Sequence, residues 1–216
     1  MVKPNPQKGV IENFWLSQGL VPAGVDEVGR GCLAGPVVTA CVVLDYDRLA
    51  ALDETIKNKI RDSKTLSTKQ RAEVLALIEE ISVDHAIGVS SEREIEEIGI
   101  LKATFCAMNR AVASLKRIKP DVLLVDGNQS IQGQKIKQQT IVKGDSSCFT
   151  IAAASIIAKE YRDEFMRKQA KVHPHWGFDR HVGYGTAEHL TAIQSHGICE
   201  LHRRNFAPIR EMPNIW

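Results

Sequence analysis

The 216 residues predict an α/β fold: a mixed sheet flanked by helices, continued by a C-terminal helical extension. Three observations carry this. Residues 21–28 and 36–44 are apolar, β-branched runs joined by a tight glycine-rich connection, the pattern of an antiparallel hairpin. Residues 121–126 (Asp-Val-Leu-Leu-Val-Asp) are short and almost wholly apolar, as in a strand covered on both faces. Between and after these runs the apolar residues recur with helical spacing.

Taken in order, residues 1–20 hold one short amphipathic stretch at 11–16 and read as an N-terminal helix or arm. Residues 45–64 are polar and charged, a surface loop plus a short helix. Ser67 and Gln70 have capping-box spacing and open a helix with Ala72, Leu75, Ala76 and Ile78 on one face. Alternation over 81–89 predicts a third strand, and 92–97 a short acidic helix. A longer helix over 99–118 ends at Lys119-Pro120. Residues 139–143 predict a further strand. From Gly144-Asp145-Ser146-Ser147 a helix begins that is rich in small residues and runs to about 172; close packing on the sheet is expected. His173-Pro174-His175-Trp176-Gly177 breaks it, and 186–196 is another helix closed by Gly197. We expect one domain over 1–216, with its core at about 21–172 and the extension at about 173–216.

Composition narrows the functional classes. At 44% apolar and 25% charged the chain can bury a core, and no apolar run reaches membrane-spanning length. The N-terminus lacks an apolar signal core, so a cytoplasmic location is expected. Five scattered cysteines without a CxxC pair suit reduced thiols and give no structural zinc spacing. Net charge is only +2, but unevenly placed: residues 1–108 carry −4 and residues 109–216 carry +6. A basic half beside clustered carboxylates suits an enzyme of a polyanion.

The chemistry concentrates at element ends. Asp26 and Glu27 end the first strand, Asp126 ends the later buried one, and Asp145 sits at a helix entry. Ionised carboxylates beside such apolar runs need a partner or a cation. Gathered at one sheet edge, the four acids suit two Mg²⁺ or Mn²⁺ ions about 3.5–4 Å apart, the arrangement for in-line phosphodiester displacement. Each acid also has a plainer reading: Asp145 as a helix N-cap, Asp126 as a turn former before Gly127-Asn128, Glu27 as a residue pointing to the opposite face from Asp26. Gly29-x-Gly31-x-x-Ala34 satisfies a loose dinucleotide fingerprint, but a strand follows it where that motif needs a helix. His173, His175, His181, His189 and His202 read as structural or rim residues, since imidazole suits zinc or copper better than magnesium. Ser146 and Ser147 lack a nucleophile-elbow context.

Asp-Glu-Val-Gly-Arg-Gly at 26–31, Asp-Ser-Lys at 62–64, Val-Asp-Gly at 125–127, Lys-Gly-Asp at 143–145, Gly-Tyr-Gly-Thr at 183–186 and His-Arg-Arg at 202–204 together resemble the signature of bacterial type 2 ribonuclease H. The motifs keep the family order over about residues 22–208. The resemblance implies a ribonuclease-H-like fold. It also implies hydrolysis of the RNA strand of RNA–DNA hybrids and nicking 5′ of single ribonucleotides embedded in duplex DNA, leaving 3′-hydroxyl and 5′-phosphate ends. By the same resemblance Asp26, Glu27, Asp126 and Asp145 match the catalytic, metal-holding acids. Gly29, Arg30 and Gly31 match the loop that senses the ribose 2′-hydroxyl, and Tyr184 the tyrosine that packs on the neighbouring sugar. Lys64, Lys143, Lys159 and Arg162 are candidate phosphate contacts. The expected partners are RNA–DNA hybrid and ribonucleotide-containing duplex, no membrane, with the chain acting as a monomer. Two departures are visible: Asn205 stands where a serine is expected before Phe206, and the N-terminal arm is slightly long. Two other functions remain to be distinguished, a DNA-cleaving nuclease of the same fold and a non-catalytic hybrid-binding protein.

Overall fold

A computed structural model describes residues 8–61 and 67–212; the Asp-Ser-Lys motif at 62–64, with Lys64, lies outside them. Five strands form one mixed sheet in the order β3-β2-β1-β4-β5, with β1 Pro22–Val28, β2 Val37–Leu44, β3 Ser82–Ser90, β4 Val122–Asp126 and β5 Lys137–Ile141. β1, β2 and β3 pair antiparallel, whereas β1–β4 and β4–β5 are parallel. The hairpin and the buried strand thus meet at β1, which has an antiparallel neighbour on one side and a parallel neighbour on the other.

Both faces are covered. Val38, Ala40, Val42 and Leu44 of β2 pack towards the long helix α7 (Phe149–Val172), while Cys41 and Val43 pack towards α6 (Ile100–Ala113). (The remaining helices are α1 Val10–Leu16, α2 Tyr46–Ala51, α3 Glu54–Arg61, α4 Thr68–Ile81, α5 Glu92–Ile98, α8 Phe178–His181 and α9 Ala187–His196.) A strand with no solvent face reads as a near-continuous apolar run, which is what β2 shows, with Thr39 alone polar and its hydroxyl bonded to the Gly88 carbonyl. The small residues of α7 serve close approach. A Cβ on Gly24 of β1 would lie 2.2 Å from the Thr150 carbonyl carbon, so only glycine lets the helix settle there.

Several boundaries depart from expectation. α6 stops at Ala113 rather than 118, because the Asp84 carboxylate on β3 accepts the backbone N–H groups of Lys116 and Arg117, both at 2.6 Å, and binds that segment as a loop. Asp45–Arg61 forms two helices, α2 and α3, with Asp45 capping the first. β5 lies at Lys137–Ile141, two residues earlier than expected. The helix expected from Gly144 begins at Phe149, after a separate 3-10 turn at Gly144–Ser146.

The C-terminal residues do not stand apart from the sheet. Phe178, Val182 and Leu201 pack on Ala34 and Met166, and Ile193 and Ile209 on Leu33. The extension therefore clamps the β1–β2 connection. No helix among the described residues is long and apolar enough to cross a membrane.

Candidate active site

Register places two carboxylates side by side. β1 and β4 run parallel with Val25 opposite Val125, so the next residues, Asp26 and Asp126, emerge from neighbouring strands on the same face. That face is the one α7 covers, and Ser155 of α7 hydrogen-bonds Asp26. Asp126 Oδ1 accepts the Gly144 N–H at 2.7 Å, which draws in the turn bearing Asp145. On the far side of that turn, Lys8 Nζ donates to the Asp145 carbonyl at 2.7 Å and Gly9 N–H to the Ser147 carbonyl at 3.2 Å. Asp26, Glu27, Asp126 and Asp145 line one cleft of about 400 Å³, together with Gly29, Arg71, Ser155, Lys159 and Tyr184.

Glu27 behaves as strand alternation requires. β1 stays regular through Val28, with Glu27 opposite Thr39, so its side chain leaves the sheet on the other side from Asp26. It lies at the rim, 3.2 Å from the Arg30 guanidinium, and borders a second cavity on the α6 side as well. Asp145 is not the cap of α7: Cys148 holds the N-cap position, with no side-chain bond.

Electrostatics mark this end of the sheet. Burial holds the Asp26 carboxyl well above the ordinary carboxylate range, and the neighbouring Glu27 and Asp126 push it further up. Burial also raises Glu27, although Arg30 opposes it. A buried carboxylate with two more acids nearby is costly unless a cation joins them. The donor set is all oxygen, which fits a hard divalent ion.

The sensing-loop candidates lie beside the acids. Gly29 has φ +93°, and a Cβ there would lie 2.3 Å from Arg162 Nε, so glycine is required twice over. Arg30 and Gly31 are exposed. Arg162 corrects an expectation: it is fully buried, and its Nε, Nη1 and Nη2 donate to the carbonyls of Pro36, Val182 and Ala34 at 2.8–2.9 Å. It braces the loop and presents nothing to a phosphate. Lys159 lines the cleft, paired with Asp163 at 2.8 Å and 5.6 Å from the Tyr184 ring centre. Lys143 is exposed just before the Asp145 turn, with φ +57°. Tyr184 is 41% exposed rather than a core tyrosine, and its hydroxyl meets the Cys32 thiol.

Sequence reasoning missed the brace beneath this loop. Arg203, fully buried, donates from Nε and Nη2 to the Gly35 carbonyl and from Nη1 to that of Arg30. Leu33 N–H in turn donates to the Gly183 carbonyl at 2.8 Å. Two histidines extend the brace. Cys199 N–H donates to His202 Nδ1 at 2.9 Å, so His202 carries its proton on Nε2 and donates it to His189 Nε2 at 3.1 Å. His189 Nδ1–H then donates to the Tyr184 carbonyl at 2.9 Å. Burial pulls His189 down to about 4 and His202 to about 3, so both stay neutral near pH 7. Ser155 was the legible omission, the one polar residue in Ile-Ala-Ala-Ala-Ser-Ile-Ile-Ala.

A mixed sheet whose parallel strand pair ends in acids, beneath a glycine loop and an exposed tyrosine, defines the class: a metal-dependent endoribonuclease of ribonuclease-H-like fold. The family model for ribonuclease HII matches residues 23–209. Ribonuclease HII of Endomicrobium trichonymphae is 45% identical over 201 residues, spanning 93% of this chain and 91% of that protein. That of Chlamydia caviae is 48% identical over 207 residues, 95% and 93%. Among solved structures, ribonuclease H2 of Pyrococcus horikoshii superposes with a TM-score of 0.71 at 26% identity, covering 88% of this chain and 95% of that one. Ribonuclease HII of Archaeoglobus fulgidus, solved in complex with PCNA, gives 0.63 at 27% identity, covering 82% and 87%. The chain belongs to the ribonuclease HII family, and its activity is that family's, on RNA–DNA hybrids and on ribonucleotides embedded in DNA.

Proposed function

We propose that Asp26, Asp126 and Asp145 hold two divalent cations, Mg²⁺ or Mn²⁺, with Glu27 contributing from the rim, and that the chain acts as one domain and as a monomer. The observation that carries this is the shared cleft, in which the mutually destabilising carboxylates of Asp26 and Asp126 sit beside Asp145 and Tyr184. When bound, the cations would supply charge neutralisation and an activated water for phosphodiester hydrolysis, leaving 3′-hydroxyl and 5′-phosphate ends. The protein's own part is placement. Strand register fixes Asp26 against Asp126, the Gly144 N–H holds Asp126, and Ser155 holds Asp26.

Discrimination belongs to the loop. Gly29 and Gly31 offer backbone groups without side-chain bulk, with the Arg30 backbone between them, suited to a 2′-hydroxyl that both donates and accepts hydrogen bonds. Tyr184 presents a ring face at the cleft mouth for the adjoining sugar, and Lys159 and Lys143 present charge to phosphates. The test compares a duplex bearing one ribonucleotide, the matching all-DNA duplex and a full hybrid, each with and without Mg²⁺ and Mn²⁺. Cleavage of the first and third only, and only with metal, is expected. Cutting of the all-DNA duplex would make the chain a general DNA nuclease, and absence of any metal-dependent nicking would make it a binding protein.

A further inference from the structure

The geometry points to a second cation site, of zinc class, made by His173, Cys199 and Glu200 in the C-terminal extension. These residues come from two segments: His173 caps the end of α7, and Cys199 and Glu200 lie in the turn after α9. One ligand atom from each lies within 4.8 Å of the others. The spacing of 26 residues between His173 and Cys199 follows no short motif, which is why the sequence gives no hint of it.

The donor chemistry separates this site from the acidic cleft. Nitrogen, sulfur and one carboxylate oxygen are the set zinc takes, and magnesium does not. Tetrahedral zinc with ordinary bond lengths needs ligand atoms about 3.3–3.8 Å apart. His173 Nε2 and Glu200 Oε1 already stand 3.3 Å apart. The sulfur edges, at up to 4.8 Å, close by at most about 1–1.5 Å, within reach of side-chain rotation because Glu200 is largely exposed and Cys199 and His173 are half-buried. Three protein ligands leave the fourth position to water.

The surroundings orient the donors. The His173 ring meets Trp176 and Phe178 edge-on, at 5.9 and 6.4 Å between centres, which limits its rotation. Cys199 Sγ lies 3.2 Å from His202 Nδ1, the unprotonated nitrogen, which accepts from the Cys199 N–H. That contact takes the thiol proton in the metal-free chain, and a bound cation would replace it. A metal-bound cysteine is a thiolate, so each cation bound would release one thiol proton to solvent. The bound ion would staple the end of α7 to the turn that leads into His202 and Arg203, the residues beneath the loop at 29–35.

Cobalt reports directly on sulfur ligation. The full chain, stripped with chelator and titrated with Co²⁺, is expected to show a sulfur-to-cobalt charge-transfer band saturating at one equivalent. The Asp126→Asn variant should show the same band, since the acidic cleft offers only oxygen. Cys199→Ser should abolish it, and His173→Gln should weaken Co²⁺ binding at least tenfold. Zn²⁺ should also raise the melting temperature of the unmodified chain and not that of Cys199→Ser. Absence of the band, or a band undiminished in Cys199→Ser, overturns the site. If Cys199→Ser fails to fold, alkylation of Cys199 in the unmodified chain decides, read by mass spectrometry with and without Zn²⁺: protection supports the site and an unchanged rate overturns it.

Discussion

Two buried polar regions lie on either side of the glycine loop, and they are built on opposite terms. Beneath the loop, Arg162 and Arg203 give their donors to backbone carbonyls, and His189 and His202 form a single-tautomer chain ending at Tyr184. Beside the loop, Asp26 is buried against Glu27 and Asp126, which share its charge. Buried polar groups that are fully satisfied make a fold rigid and specific. Groups left in mutual repulsion store a requirement for something absent from the chain. The difference separates scaffold from chemistry more sharply than burial or residue type does.

The largest expected effect comes from the repelling side. Asp126→Asn should lower kcat about 10³-fold, the loss of several kcal/mol of charge stabilisation, with duplex binding retained. Rate measurements beside a binding titration check this, and near-normal turnover would refute the assignment. On the satisfied side, Arg203→Ala leaves the Gly35 and Arg30 carbonyls without their buried donor and should cost about 3 kcal/mol in urea unfolding. An unchanged unfolding midpoint would show that the brace carries no load. Tyr184→Ala stands between the two, since its backbone belongs to the scaffold and its ring to the cleft. Its kcat/KM on a single-ribonucleotide duplex should fall roughly tenfold with stability unchanged.

The smallest effect is the most diagnostic, because the two regions respond to pH with opposite sign. Asp26 has a raised folded pKa, so the folded metal-free chain binds more protons than the unfolded one above about pH 3.8. Its contribution therefore falls as pH climbs from there towards the raised value. His189 is depressed from 6.5 to about 4, so the unfolded chain binds more protons in that window and stability rises with pH across it. In metal-free protein between pH 4 and 6.5, Asp26→Asn should steepen the rise of stability with pH and His189→Gln should flatten it. Denaturation series at stepped pH read both slopes, and a shift of the same sign in both variants would collapse the distinction.

How much was legible follows from the same contrast. Acids at strand ends announce themselves, as Asp126 does after Val-Leu-Leu-Val, although a turn-forming reading was also open to it. Alternation along β1 likewise warned that Glu27 leaves on the opposite face. What sequence does not carry is long-range pairing. Arg162, three residues after Lys159 on one helix, looks like a second surface cation; the carbonyls that consume it come from positions 34, 36 and 182. The early end of α6 was hidden for the same reason, since the Asp84 carboxylate that stops it lies over thirty residues away. His189 and His202 read as bland and are buried, but nothing local showed that they meet.

The anchoring of the 29–35 segment has a further consequence. Its supports arrive from positions 162, 183 and 203, whereas every acid of the cleft is in place by residue 145. The loop itself is contiguous with Asp26 and Glu27, but these supports are all encoded after the last acid of the cleft. Substitutions around those supports would shift the loop without replacing any acid of the cleft.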